Sequence, residues 1–211
     1  MNMKSMARRA FIMAGSAALA GWTMPARADA GSPAVAPIRQ LNDTLLQIMK
    51  SGAGTPFAQR FNMLAPVVDR VFDLDAILRA SIGLEWSSLP PNQQAMLLPV
   101  FRRYTIVSYV NNFNHYDGQR FTVEPQTRPA GNGQQIVLTR IIPQSGDSHE
   151  LDYVMHDTGS GWRVVDVLAD GTISHVAVQR SDFRHLLARG GALALAKSLD
   201  SKSLDLSDGM S

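Results

Sequence analysis

Two groups of residues carry the side chains that chemistry usually recruits. The first is His149-Glu150-Leu151-Asp152 followed by His156-Asp157, a histidine and carboxylate set of the kind that holds a divalent metal. The stretch reads as a strand, and positions 149 and 156 differ by an odd number, so their imidazoles point to opposite faces. The helical H-E-x-x-H spacing is absent as well. The second group is Asp166 and His175, which a hairpin at Asp170-Gly171 places close together, with Tyr153 and Arg140 on the same face. An Asp–His pair inside a pocket can move a proton. No nucleophile or oxyanion donor is identifiable beside it, so the same residues also read as a satisfied polar cluster. Ser160 lies in Thr158-Gly159-Ser160-Gly161-Trp162, a turn and not the nucleophile elbow of a hydrolase. No glycine loop fits a phosphate cradle, and no cofactor motif is present.

The elements that must position these residues follow from periodicity. Ile38, Leu41, Leu45 and Ile48 form one helical stripe, and Phe57, Phe61, Leu64, Val68 and Phe72 a second. Pro66 should bend or split the second helix. A short helix runs from Leu74 to Ile82, with Gly83 ending it. Pro90-Pro91 opens the longest helix, Asn92 to Tyr116, which is apolar on more than one face and is therefore buried on much of its circumference or lines something greasy.

From residue 119 the period changes to two. Turn signals at Gly131-Asn132-Gly133, Ser145-Gly146-Asp147, Thr158 to Gly161 and Asp170-Gly171 cut residues 119–179 into five strands of an antiparallel meander. Closing the hairpins at Gln144–Asp147, Thr158–Gly161 and Asp170-Gly171 puts Ile136, Leu138, Leu151, Tyr153, Met155, Trp162, Val164 and Leu168 on one greasy face, which should meet the helices. The fifth strand is Thr172 to Val178, Ser181 caps a helix over Asp182–Ala188, and Ala192–Leu199 forms the last. Residues 200–211 read as a frayed polar tail. Helices first and strands after make an α+β fold.

Residues 1–28 stand apart. Lys4, Arg8 and Arg9 precede an apolar run from Ala10 to Gly21, and Ala26-Arg27-Ala28 is a small-residue cleavage site, which together predict a cleaved export signal. Arg8-Arg9-Ala10-Phe11-Ile12 resembles a twin-arginine signal. Residues 29–37 then form a flexible lead to a domain over 38–199. The chain has 20 Lys+Arg and 18 Asp+Glu. Cleavage after Ala28 removes Lys4, Arg8, Arg9 and Arg27 and no acid, which leaves a net charge of about −2 and no electrostatic footprint for nucleic acid. There are no cysteines among the 211 residues, so disulfides, thiolate metal sites, a Cys nucleophile and a lipid-modified Cys are excluded. An exported chain of this kind is expected in the periplasm.

Phe101-Arg102-Arg103-Tyr104, Tyr116-Asp117-Gly118-Gln119-Arg120-Phe121, Leu151-Asp152-Tyr153, Gly161-Trp162-Arg163-Val164-Val165-Asp166-Val167 and Gln179-Arg180-Ser181-Asp182-Phe183 occur in an order and spacing that resembles the MlaC / toluene-tolerance family. Within it the chain looks most like the hopanoid-biosynthesis-associated branch called HpnM. His175 departs from the wider pattern, which often has an apolar residue there. The resemblance implies a non-enzymatic carrier that holds phospholipid or hopanoid tails between sheet and helices. It also implies two partners: the substrate-binding subunit of an inner-membrane ABC transporter and an outer-membrane lipoprotein complex. Phe101, Tyr104 and Val107 on the long helix, with Leu138, Tyr153, Met155, Trp162, Val164 and Leu168 on the sheet, are then the candidate lining residues. The rival readings are a small cystatin- or NTF2-like pocket enzyme using Asp166 and His175, and a scaffolding protein with a filled core. The glycines and prolines between the helices mark the helices, rather than the hairpin-tied sheet, as the parts able to move.

Overall fold

The computed structural model describes residues 31–52 and 54–209. The expected export signal at 1–28 lies outside the described residues. Helix α1 (Val35–Ser51) buries Ile38, Leu41, Leu45 and Ile48 completely, as their spacing requires. It begins at Val35, so the lead is shorter than expected. Helix α2 (Phe57–Val71) runs through Pro66 unsplit; Pro66 is exposed, so water can reach the carbonyl whose bond proline cannot complete. Helix α3 (Leu74–Ile82) is capped by the Asp73 carboxylate, which accepts the Ala76 N–H at 3.0 Å, and Gly83 ends it at φ 76°. Helix α4 (Pro91–Asn112) stops short of Tyr116 and buries residues around its circumference.

The strands are β1 (Arg120–Pro129), β2 (Gln135–Ile142), β3 (His149–Asp157), β4 (Trp162–Ala169) and β5 (Ile173–Ser174), joined in that order as one antiparallel sheet. The α+β architecture with a five-stranded meander is as the sequence predicts. Helix α5 (His175–Asp208) completes the chain. Helices α1, α2, α3 and α5 pack on the sheet, α1 on β1 and the others on β4, while α4 lies along α5. The core fills the space between the layers.

Two features of the sheet differ from the expected register. First, Val137 pairs with Tyr153 and Ile141 with His149, one residue away from the expected alignment. Pro143 cannot donate to the ladder, so β2 ends early and the loop is longer than a two-residue turn. A one-residue slip exchanges the faces of a strand, so Leu138 lies on the face away from the helices and Val137, fully buried, takes its place. Second, Met155 pairs with Val164 but Val154 with Asp166, which leaves Val165 as a β-bulge. Beyond it the alternation reverses. Val167 faces the core, and Leu168 pairs with Asp152 on the outer face.

The hairpin at Asp170-Gly171 has both residues at positive φ, 50° and 68°, as a tight turn demands. The strand after it is shorter than predicted. Ser174 Oγ accepts the Ala177 N–H at 3.0 Å and caps α5 at once, so Ser181 lies inside the helix. The Asp166 carboxylate supports this start, accepting the Val176 N–H at 3.0 Å and the Ser174 hydroxyl at 2.5 Å. Gly190 and Gly191 break α5, Gly191 at φ 63°. Residues 200–208 are not a tail. They are helical, with Ser203 and Ser207 buried. The serines are small, and each hydroxyl bonds back to its own helix, Ser203 to Leu199 O at 2.7 Å and Ser207 to Leu204 O at 2.9 Å, so they behave as compact packing residues.

The outer face of the sheet is charged. There Asp152 is buried and accepts the Thr139 backbone N–H at 3.0 Å. Burial pushes its carboxyl above the ordinary range; the Thr139 N–H pulls it down, Glu150 pushes it up, and Arg128 and Arg140 pull it down. The folded protein therefore binds this proton more tightly than the unfolded chain does. Its stabilising effect is complete below the ordinary carboxylate pKa and is lost as pH rises through the folded-state value. Asp152→Asn keeps the Thr139 bond and should raise the urea midpoint at pH 7 while flattening the stability profile across the acidic range. An unchanged profile would contradict a raised carboxyl.

Candidate functional site

A cavity of about 290 Å³ lies between α3, α4, the end of β4 and both halves of α5. Helix α4 supplies Phe101, Tyr104, Thr105, Ser108, Tyr109 and Asn112, which recur at the spacing of one helix face. Across from it stand Phe72, Leu74, Ile77, Val167 and Val176, and Leu206 from the last turns of α5. An aromatic series backs the wall. Phe72 meets Tyr109 edge-on at 5.4 Å, Tyr109 stacks on Phe113 at 5.9 Å, and Phe113 reaches Phe121 at 5.9 Å. Phe183 fixes Phe101 at a right angle, 6.3 Å away.

Asp166, His175 and Gln179 also line the cavity. The sequence places Asp166 and His175 near one another, and so does the fold. The Asp166 carboxylate is occupied by the α5 cap and by the Val167 N–H at 2.8 Å. This is the work of a structural carboxylate, which favours the satisfied polar cluster over an acid/base pair. Tyr153 is not beside it. Its hydroxyl is buried next to that of Tyr109, without a hydrogen bond of good geometry. Burial drives both phenols above their ordinary value, so both are neutral at physiological pH. The seam between α3 and α5 closes one side of the cavity. Ser81 donates to Gln179 Oε1 at 2.9 Å, and Arg180 Nε donates to Ala80 O at 2.8 Å. His156 bonds Asp73 at 2.9 Å, while His149 sits opposite Ile141 at the other end of β3.

Of the candidate lining residues, Phe101 and Tyr104 line the cavity. Tyr153, Met155 and Val164 are fully buried in the core and do not line it, and Val107 is fully buried as well. Trp162 borders a separate surface cleft with Pro33 and Arg70. Leu138 and Leu168 are on the outer face, for the reasons of register given above. Sequence reasoning missed the α3 residues Leu74 and Ile77, although their spacing of three marks a helix face. It also missed Leu206, because the Ser- and Asp-rich end of the chain conceals a helical stripe.

A cavity enclosed by α3, α4, α5 and the end of β4, beside a bulged five-stranded meander, marks a small α+β domain with an internal cleft. Residues 39–201 match the family described as MlaC protein, and the chain belongs to that family. A similar solved structure is the phospholipid-binding protein from Ralstonia solanacearum, in complex with a phospholipid. It aligns with a TM-score of 0.71 and 22% identity over 83% of this chain and 99% of that one. No curated protein matches the chain.

Proposed function

We propose that the protein is a periplasmic lipid carrier. It would take phospholipid, or a hopanoid, between a substrate-binding subunit of an inner-membrane ABC transporter and an outer-membrane lipoprotein complex. The observation that carries this reading is the cavity itself, walled largely by aromatic and aliphatic residues of the helices, in a member of the MlaC family whose fold is shared by a protein solved in complex with a phospholipid. An acyl chain of roughly sixteen carbons gains about 13 kcal/mol on leaving water at ~0.8 kcal/mol per CH₂. A lipid therefore crosses an aqueous space only inside a cover of this kind. The cavity is at the bottom of the size range for ligand sites, so a two-chain lipid requires the helices to part. No chemical step is needed, and the Asp166 carboxylate serves the fold.

The test has two arms. Osmotic-shock fractions from the native host should contain the mature chain. Added to inner- and outer-membrane vesicles, the protein should speed exchange of labelled phospholipid in proportion to its concentration. A cytoplasmic location, or exchange no faster than the spontaneous rate, would reject the proposal.

A further inference from the structure

Trp162 and Arg163 open β4, yet neither lines the cavity described above. They border a separate cleft of about 440 Å³ between the start of α1, the end of α2 and the turn from β3 to β4. Its apolar wall is the half-buried Trp162 with Val71, Pro33 and Pro37, and its charge comes from Arg70 and Arg163. No acidic residue lines it. Among the described residues neither arginine makes an ion pair or a hydrogen bond. The acids closest to them along the chain are engaged elsewhere. Asp69 holds Arg102 at 2.6 Å, and Asp73 caps α3 and bonds His156. Asp157, opposite Trp162 in the ladder, accepts the Gly159 N–H at 2.9 Å, and Asp166 holds the start of α5.

Two uncompensated guanidinium groups beside an apolar wall suit an occupant that brings carboxylates and an apolar side chain together. The sign runs against that of the chain, whose residues 29–211 carry a net charge of about −2. A recessed wall receives a protruding chain, whereas a flat bilayer is held weakly by two arginines on an acidic protein. We infer that this cleft docks an acidic peptide segment of a partner protein, its carboxylates paired with Arg70 and Arg163 and an apolar side chain set against Trp162. The place has a consequence for the cavity. Arg70 and Val71 line the cleft, and the next residue, Phe72, lines the cavity and bridges Val164. A segment docked here abuts the junction of α2 and α3 that walls the cavity. The inference rests on the carrier reading only for the reason a partner is needed. Docking is read without lipid, so the two fail separately.

The test selects phage-displayed random peptides of twelve residues on the purified protein. The best binder is then synthesised and titrated by calorimetry. Selected sequences should combine two or more Asp or Glu with an apolar residue, and binding should shift the Trp162 indole N–H resonance, assigned through Trp162→Phe. Arg163→Glu and Arg70→Glu should each weaken the peptide by at least about tenfold, since each puts a like charge against it. Arg70 is exposed, so its variant serves if Arg163→Glu does not fold. No enrichment, selected sequences without acidic residues, or affinity unchanged in the variants overturns the inference. Wild-type binding to phosphatidylglycerol vesicles that both variants lose would make a membrane the occupant and overturns it as well.

Discussion

Val164→Asp should destabilise the protein by roughly 3 kcal/mol or more in urea unfolding at neutral pH, because it buries a carboxylate without a partner. Val164 is fully buried, pairs with Met155, and its carbonyl accepts the Asp73 N–H at 2.9 Å at the start of α3. Part of the loss should be recovered on acidification, where the new carboxyl takes up a proton. Leu138→Asp is the matched control. The hairpins read from sequence put positions 138 and 164 on one face; the observed ladders put them on opposite faces. Leu138 borders an open groove on the outer face with Arg128 and Arg140 but also Glu124, Glu150, Asp152 and Asp170, where a new carboxylate stays in reach of water, so its substitution should cost roughly 1 kcal/mol or less. Equal losses from the two variants would restore the regular register and remove the bulge.

The second large effect concerns release. Apolar cargo has no favourable route through water, so the cavity must open against a partner that binds the open form more tightly. Helix α2 touches the cavity only through Phe72 at its end, whereas α3 and α5 line it and meet at a seam closed by two polar contacts. The chain has no cysteine, so Ala80→Cys with Arg180→Cys creates a unique pair that a short bismaleimide can bridge. The crosslinked protein should keep its lipid and lose transfer at least about tenfold, a barrier rise of about 1.4 kcal/mol. The same variant without crosslinker should transfer at no less than half the wild-type rate. Full transfer by the crosslinked form would place the opening elsewhere.

Much of this architecture is legible in the sequence, because burial and period are local signals. The stripe of Ile38, Leu41, Leu45 and Ile48, the Gly83 stop and the positive-φ pair Asp170-Gly171 each encode their element within a few residues. The cavity is less legible, for two physical reasons. A bulge carries no composition of its own, and Val165 lies among valines that look interchangeable, yet it reverses every side chain after it. The α5 start depends on Asp166, a residue on another strand, whose carboxylate lets Ser174 cap a helix in a stretch rich in β-branched residues. Phe101 and Tyr104 were identifiable because α4 is long and apolar; Ser108 and Leu206 were not, because their role depends on what packs across from them.

Whether this cavity carries lipid is decided by purifying the protein from its native host without detergent and analysing an organic extract by mass spectrometry. The extract should hold lipid at close to one molecule per chain, reduced in proportion to the unfolded fraction in Val164→Asp. A folded protein whose extract holds no lipid, and which takes none from vesicles, would contradict it and leave a domain with a filled core.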